Sequence, residues 1–223
     1  MDQHKIAIIV PAFNEEGTIY NVVRSVEGYG TVIVVNDAST DNTQRIATNA
    51  GAIVVSHKKN QGYDGALNSG FRKAEELNFN AVITFDADGQ HNPDLLKEYI
   101  LLINQGFVVV SGVRHKFQRT AERVFSWVSK WKWRVSDPLC GMKAYHLDLY
   151  RELGCFDSYK SIGTELLIFA SIRKKKIAQV PVHTRDRIDI SRFGGKLSSN
   201  ILILNALWNG YRKYGGSRLF GCY

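Results

Sequence analysis

The chain has 223 residues, 44% hydrophobic and 22% charged, a composition that excludes a disordered chain and indicates a globular domain with a sizeable core. Its three cysteines are odd in number and far apart, which argues against a disulfide framework and for a reducing compartment. The net charge of +8 is unevenly spread, because residues 1–113 carry 8 Lys/Arg and 13 Asp/Glu, whereas residues 114–223 carry 21 and 8.

This asymmetry suggests two roles. The carboxylates of the first half could hold a metal ion, and the cations of the second half could contact phosphates, nucleic acid or an anionic membrane. A generic solvated basic surface is the alternative. We find no secretory signal, and no apolar stretch reaches the roughly 18 residues of a membrane span.

Strands and helices alternate along the first half. β-branched and apolar runs predict strands at residues 6–10, 31–35, 52–56, 81–85 and 107–111. Apolar periodicity and capping residues predict helices at 18–26, 62–76 and 93–105, and another that ends near residue 49. The alternation predicts an α/β fold with a mostly parallel, Rossmann-like sheet flanked by helices.

Ligands of such sheets bind at the carboxyl ends of the strands. Pro11, Asp37 and Asp86 each follow a predicted strand, so we expect them to converge on one crevice. No G-x-G-x-x-G follows the first strand and no G-x-x-x-x-G-K-[ST] occurs in the chain, which disfavours a dinucleotide enzyme and a P-loop NTPase.

Two carboxylates, Asp86 and Asp88, lie one residue apart after the fourth strand. Crowded carboxylates repel each other unless a cation lies between them. Their oxygens suit Mg²⁺ or Mn²⁺, ions that usually bind substrate phosphates as well. A simple surface turn is the alternative, but convergence of the strand ends favours a metal–phosphate site.

The second half is more basic and contains tryptophans. The predicted helix 120–135 interleaves cations with Trp127, Trp131 and Trp133, which is typical of a membrane-surface segment; tryptophans packed on the sheet are the alternative. Helices are predicted at 166–172 and 197–214, and a strand at 177–182. The loop 183–195 is rich in arginine, whose guanidinium group suits bidentate phosphate contacts.

Five motifs follow one another in the order of a known family: Val10-Pro11-Ala12-Phe13-Asn14-Glu15-Glu16, Val34-Val35-Asn36-Asp37-Ala38-Ser39-Thr40-Asp41, Asn60-Gln61-Gly62 with Gly65-Ala66-Leu67-Asn68-Ser69-Gly70, Asp86-Ala87-Asp88-Gly89-Gln90-His91, and Asp137-Pro138 with Gly141. Val180-Pro181-Val182 before the arginine-rich loop also matches. With these motifs, the chain resembles the inverting glycosyltransferases of family 2, which have a GT-A fold, and most of all their dolichyl- or polyprenyl-phosphate sugar synthases. Phe13 replaces a more usual Tyr, and the loop has Ile190-Ser191-Arg192 in place of the usual G-x-S-K ending.

The resemblance implies a role for individual residues. The nucleotide sugar would be held by Pro11, Phe13, Glu15, Val35, Asp37, Asp86, Ala87, Asp88 and Gln90, with phosphates facing Arg114, Arg187, Arg192 and Lys196. The metal ligands would be Asp86, Asp88 and Gln90. Asp88 would be catalytic through the metal, and Asp137 and Glu165 fall where the family has acceptor-side acidic residues.

The expected chemistry depends on the acceptor. A hydroxyl acceptor needs a carboxylate base, for which Asp137 and Glu165 are both candidates. A lipid phosphate is already an anionic nucleophile and needs arginines more than a base. The basic second half and the tryptophan helix favour the lipid phosphate.

We therefore expect a single GT-A domain over residues 1–223, with a nucleotide-sugar-binding half (1–113) and an acceptor-side half with amphipathic helices (114–223). It would use Mg²⁺ or Mn²⁺ to transfer a sugar from a GDP- or UDP-linked donor to polyprenyl phosphate, while bound peripherally to the cytoplasmic membrane face. The alternatives are extension of a saccharide or lipid-linked glycan, and a catalytically silent nucleotide-sugar-binding module. Nucleic-acid binding is disfavoured because the acidic half would repel a phosphate backbone.

Overall fold

The computed structural model describes residues 5–117, 119–183 and 196–215, with only the backbone for residues 196 and 197. The strands are β1 (Ile6–Ala12), β2 (Thr31–Asn36), β3 (Ile53–Ser56), β4 (Ala81–Thr84), β5 (Val109–Arg114), β6 (Lys143–His146) and β7 (Ile177–Val182). The helices are α1 (Ile19–Val26), α2 (Thr43–Asn49), α3 (Gly62–Glu76), α4 (Leu95–Asn104), α5 (Thr120–Trp133), α6 (Leu147–Leu153), α7 (Glu165–Ile172) and α8 (Lys196–Tyr214), and a short 3₁₀ helix covers Glu27–Tyr29.

The seven strands form one sheet in the order β3-β2-β1-β4-β6-β5-β7. The β1–β2, β2–β3, β1–β4 and β5–β7 pairs are parallel, and β6 runs antiparallel to both β4 and β5. The expectation of a mostly parallel α/β sheet is therefore confirmed.

Alternating residues of the buried strands build two cores, one on each face of the sheet. On β1, Ala7 and Ile9 point into the core that α3, α5, α6, α7 and α8 cover, whereas Ile8 and Val10 point into the core beneath α1, α2 and α4. All four side chains are fully buried. Burial on both faces explains why β1 reads as a continuous apolar run rather than as an alternating one.

Several boundaries differ from the sequence expectation. Helix α4 begins at Leu95 rather than at residue 93, because the Asn92 carboxamide accepts a hydrogen bond from the Asp94 backbone and forms a turn there. Strand β5 starts and ends later than predicted, because its parallel pairing with β7 runs from Val109 opposite Ile177 to Arg114 opposite Val182. Helix α6 was not predicted. Among the described helices, none combines the length and apolar character needed to cross a membrane.

Candidate active site

A crevice of about 430 Å³ opens at the carboxyl ends of β1, β2 and β4. That volume lies within the usual range for small-molecule sites. The crevice is lined by nine of the residues predicted from the sequence: Pro11, Phe13, Glu15, Asp37, Asp86, Ala87, Asp88, Gln90 and Arg114. The expected convergence of the strand ends is confirmed.

The register of the parallel strands accounts for this convergence. Pro11 lies opposite Val35 and Ala12 opposite Asn36, so the loops after β1 and β2 leave the sheet side by side. On the other side, β4 pairs with β1 and delivers the acidic loop to the same edge. Val35 itself does not line the crevice, because its side chain is fully buried in the core below.

The Asp86 carboxylate is held by its surroundings. His91 Nε2 lies 3.0 Å from Asp86 Oδ2, and a Cβ atom at Gly141 would overlap the carboxylate, so only glycine fits there while Asp86 keeps this position. Thr84 fixes the Gly141 segment by donating from Oγ1 to the Gly141 carbonyl at 2.6 Å. Burial would lower the pKa of His91, but its hydrogen bond to Asp86 and the charges of Asp86 and Asp88 raise it. Asp86 is thus held in place by His91 and by the Gly141 segment, which Thr84 fixes in turn.

Asp88 and Gln90 complete the acidic loop. The Gln90 backbone donates to Asp88 Oδ1 at 3.1 Å, which shapes the turn. In the described parts of the chain, no group of three or more Asp, Glu, His or Cys residues could hold a metal ion by itself. Two carboxylates and an amide oxygen nevertheless suit a hard divalent cation that takes its other ligands from phosphates and water, so the donor set fits Mg²⁺ or Mn²⁺.

Arg114, at the end of β5, lines the same crevice as the acidic loop. Its Nε and Nη2 donate to the two oxygens of Asp137 at 2.7 and 3.0 Å, and its backbone N–H donates to Oδ2 at 3.1 Å. Burial would lower the pKa of Arg114, but the Asp137 carboxylate raises it. Asp137 does not line the crevice and is only 1% exposed. Its carboxylate therefore orients the arginine instead of facing a substrate.

Glu165 also lies away from the crevice. It is fully buried at the start of α7, where its carboxylate accepts hydrogen bonds from the Ser158 backbone and hydroxyl, from Lys213 Nζ at 2.6 Å and from the Tyr214 hydroxyl at 2.8 Å. These contacts tie the end of α8 to α7. The structure thus brings neither acceptor-side carboxylate into the crevice, and gives both a structural partner.

Three of the predicted phosphate contacts fall outside the described side chains. Arg187 and Arg192 lie outside the described residues, and only the backbone of Lys196 is described, at the first turn of α8.

The structure adds crevice residues that the sequence analysis missed. Lys116, Arg119 and Glu122 approach from the end of β5 and the start of α5, and Arg119 Nη1 pairs with Glu122 Oε1 at 3.1 Å. No strand-end pattern marks these positions, since they belong to a loop and a helix whose direction depends on tertiary packing. The signal available was the excess of cations just after Val113.

Two apolar side chains, Ile162 and Ile203 of α8, also line the crevice. Ile162 has a φ of 56°, a conformation that β-branched residues rarely adopt. Asp64 holds this turn by accepting from the backbone N–H groups of Ile162 at 3.1 Å and Gly163 at 2.6 Å. Burial and the nearby Asp157 raise the pKa of Asp64 to about 6, against these two hydrogen bonds.

Comparison with known proteins assigns the chain to a family. The sequence model of Glycosyl transferase family 2 matches residues 7–159, which include the strand ends and the acidic loop. The chain belongs to glycosyl transferase family 2. This family-2 protein is a glycosyltransferase, as the resemblance implied.

Two relatives act on dolichyl phosphate according to their names. The chain is 31% identical to the UDP-N-acetylglucosamine–dolichyl-phosphate N-acetylglucosaminyltransferase of Methanococcus voltae, with 80% of this chain and 85% of the relative covered. It is 29% identical to the dolichyl-phosphate hexose transferase of Haloferax volcanii, with 82% and 83% covered.

Solved structures confirm the GT-A fold of the family-2 enzyme. Glucosyl-3-phosphoglycerate synthase from Mycobacterium tuberculosis, crystallised with Mn²⁺ and UDP-glucose, aligns with a TM-score of 0.73 at 24% identity. The alignment covers 92% of this chain and 78% of that one. At this identity, the likeness concerns the fold alone.

Proposed function

We propose that the protein is a Mg²⁺- or Mn²⁺-dependent inverting glycosyltransferase that moves a sugar from a nucleoside-diphosphate sugar to a polyprenyl phosphate at the cytoplasmic face of a membrane. The observation that carries this proposal is the crevice itself, which is lined both by the acidic loop of Asp86 and Asp88 and by the cations Arg114, Lys116 and Arg119. An arrangement of this kind suits two phosphate groups, one on a metal ion and one on basic side chains.

The donor would lie against the first half of the chain. Pro11, Phe13, Glu15 and Asp37 would hold the nucleoside, and the diphosphate would reach Asp86, Asp88 and Gln90. When bound there, a divalent ion would supply positive charge to the departing diphosphate. Arg114 is oriented by Asp137 and needs no rearrangement to face that negative charge, a property that favours transition-state stabilisation.

The pairing of three carboxylates supports a phosphate acceptor over a hydroxyl. Asp137 is bound to Arg114, Glu165 is bound by Lys213 and Tyr214, and Glu122 pairs with Arg119. An acceptor hydroxyl would require a carboxylate able to take its proton. A phosphate monoester requires none, because its anionic oxygen attacks the anomeric carbon directly while the bond to the nucleoside diphosphate breaks. The paired state of these carboxylates thus supports a phosphate acceptor, consistent with the names of the relatives.

Membrane contact is supported by the outer surface of two neighbouring helices. On α5, Trp127 and Trp131 are 72% and 74% exposed, whereas Trp133 is 2% exposed and packs in the core. On α8, exposed apolar side chains recur at helical spacing: Ile201, Leu204, Trp208 and Tyr211. The two helices pack together, with Lys132 Nζ 6.0 Å from the centre of the Tyr211 ring.

Exposed apolar side chains of this size with cations beside them suit an interfacial position on an anionic membrane. The same helices reach the crevice through Arg119 on the segment leading into α5 and Ile203 on α8. A lipid acceptor anchored in the bilayer could therefore present its phosphate to the crevice without leaving the membrane. This arrangement supports a peripheral enzyme.

The test is a transfer assay with purified protein, Mn²⁺, labelled UDP- and GDP-sugars, and short polyprenyl phosphates in vesicles. We expect label to enter the organic phase and to be released by mild acid, and we expect no transfer after chelation. The matched control is the corresponding polyprenol without phosphate, which should accept no sugar.

Two outcomes would overturn the proposal. Transfer only to a saccharide, with the label remaining in the aqueous phase, would favour extension of a glycan. Binding of a nucleotide sugar without transfer or hydrolysis would favour a silent binding module.

A further inference from the structure

A chain of three polar side chains lies behind the crevice. His57, directly after β3, places Nδ1 2.7 Å from Asp37 Oδ1 and Nε2 2.8 Å from the Ser69 hydroxyl on α3. The side chains of His57 and Asp37 are only 6% and 5% exposed. Of the three residues, Asp37 lines the crevice, and His57 and Ser69 stand behind it.

These contacts determine which ring nitrogen of His57 carries a hydrogen. An ionised Asp37 only accepts, so His57 must donate from Nδ1–H. A neutral His57 then accepts at Nε2 from the Ser69 hydroxyl, and a protonated one would donate to that hydroxyl instead. The Ser69 hydroxyl can donate to the neutral imidazole and accept from the protonated one. The orientation of the imidazole therefore does not depend on its charge.

Asp37 has little acceptor capacity left. Besides His57, the backbone N–H groups of Gln61 and Gly62 donate to its two oxygens, each at 2.8 Å. A carboxylate offers about four acceptor positions. Among the residues that the structure describes, three donors are thus assigned to Asp37, which leaves about one position for a ligand in the crevice.

We infer that His57, supported by Ser69, is a positioning residue that fixes Asp37 as the acceptor for a ring N–H of the donor's nucleobase. This inference rests on the proposed function, in which Asp37 holds the nucleoside. Uracil and guanine carry a ring N–H on their pairing edge, whereas cytosine and adenine carry a bare ring nitrogen there. The bare nitrogen would face the carboxylate with two lone pairs opposed.

The fixed orientation is what makes the site selective. Cytosine also has an exocyclic amino group, and a carboxylate free to turn could accept from that group instead. His57 and the two backbone donors prevent the turn, so the site takes a uracil or guanine nucleotide and disfavours a cytosine nucleotide. Loss of the His57 contact should therefore weaken discrimination between bases more than it weakens binding of the phosphates.

The test measures the affinities of UMP, GMP and CMP by calorimetry for the wild-type protein and for His57→Phe, which keeps a ring of similar size without hydrogen bonds. The readout is the ratio of the CMP dissociation constant to that of the better of the other two nucleotides. We expect this ratio to fall about tenfold in His57→Phe. His57→Asn, whose amide can donate close to the position of Nδ1–H, should restore most of it.

The outcomes separate this inference from the proposed function. If the wild-type protein binds no nucleotide, the proposed function fails and the inference fails with it. If the wild type discriminates and folded His57→Phe discriminates equally well, only the inference is overturned. Should His57→Phe not fold, Ser69→Ala provides the second test: a lower ratio supports the inference, and an unchanged ratio refutes it.

Discussion

The two halves of the chain contribute to the crevice by different means. The first half supplies carboxylates from loops that directly follow parallel strands, and their positions are set by backbone register and by close backbone contacts such as Gly141 against Asp86. The second half supplies cations from the end of β5 and the segment leading into α5, and Arg114 is oriented by an ion pair that joins distant parts of the chain.

This difference determines which residues serve the site and which serve the fold. In the acidic half, the carboxylates of the loop after β4 line the crevice. In the basic half, Asp137 and Glu165 are buried and hold cations or helices in place. The carboxylates after β4 thus line the crevice, whereas the buried carboxylates of the second half neutralise cations.

The largest effect should come from the acidic loop. Replacement Asp88→Asn removes a charged ligand of the proposed metal site, and we expect sugar transfer to fall about a thousandfold at saturating Mn²⁺. The matched control is Asp94→Asn, an exposed aspartate six residues later that pairs with Lys97 outside the crevice and should leave the rate within about twofold. Full activity of the wild type after exhaustive chelation would contradict the prediction.

Next in size is the buried ion pair of the second half. Asp137→Asn leaves the Arg114 guanidinium with only its longer contact to Glu122 Oε2, at 3.8 Å, so the free energy of unfolding should fall by about 3–4 kcal/mol in a denaturant titration. Glu75→Gln, which breaks an exposed pair with Arg151, should cost less than about 1 kcal/mol. If Asp137→Asn instead abolished transfer with unchanged stability, the carboxylate would be a base after all.

Asp64 links the halves and should make stability depend on pH. Its pKa is raised to about 6 in the folded protein, so ionisation opposes folding. The contribution of neutral Asp64 to the free energy of unfolding is fully present below about pH 4. It is lost as the pH rises through 6, by up to about 3 kcal/mol. Denaturant unfolding at several pH values should show this decline in the wild type and a flatter profile in Asp64→Asn. Identical slopes in the two proteins would assign the effect to another group.

The smallest effect concerns the membrane surface. Changing both Trp127 and Trp131 to alanine should weaken sedimentation with anionic vesicles about tenfold, with little change in stability, because both side chains are exposed. Trp133→Ala, on the same helix, should instead destabilise the fold by about 3–5 kcal/mol, because its side chain is buried. Unchanged vesicle binding in the double variant would exclude the interfacial role.

Much of the first half followed from the sequence. The alternation of apolar strands and amphipathic helices predicted the parallel sheet, and helix α3 and strand β7 have the predicted bounds. The residues after β1, β2 and β4 could be assigned to one crevice because parallel strands end at a common edge. The second half was less predictable, since Trp127 and Trp133 have the same chemistry in the sequence and opposite environments in the fold.

The sequence by itself therefore determined the sheet, its functional edge and the acidic loop, because periodicity and strand ends are local properties of the chain. Only the tertiary structure decided that Asp137 binds Arg114, that Glu165 binds Lys213 and that His57 supports Asp37. The residues of each pair lie 20 or more positions apart. They meet through the packing of separate elements, and that packing determines whether a charged side chain faces a ligand or another part of the protein.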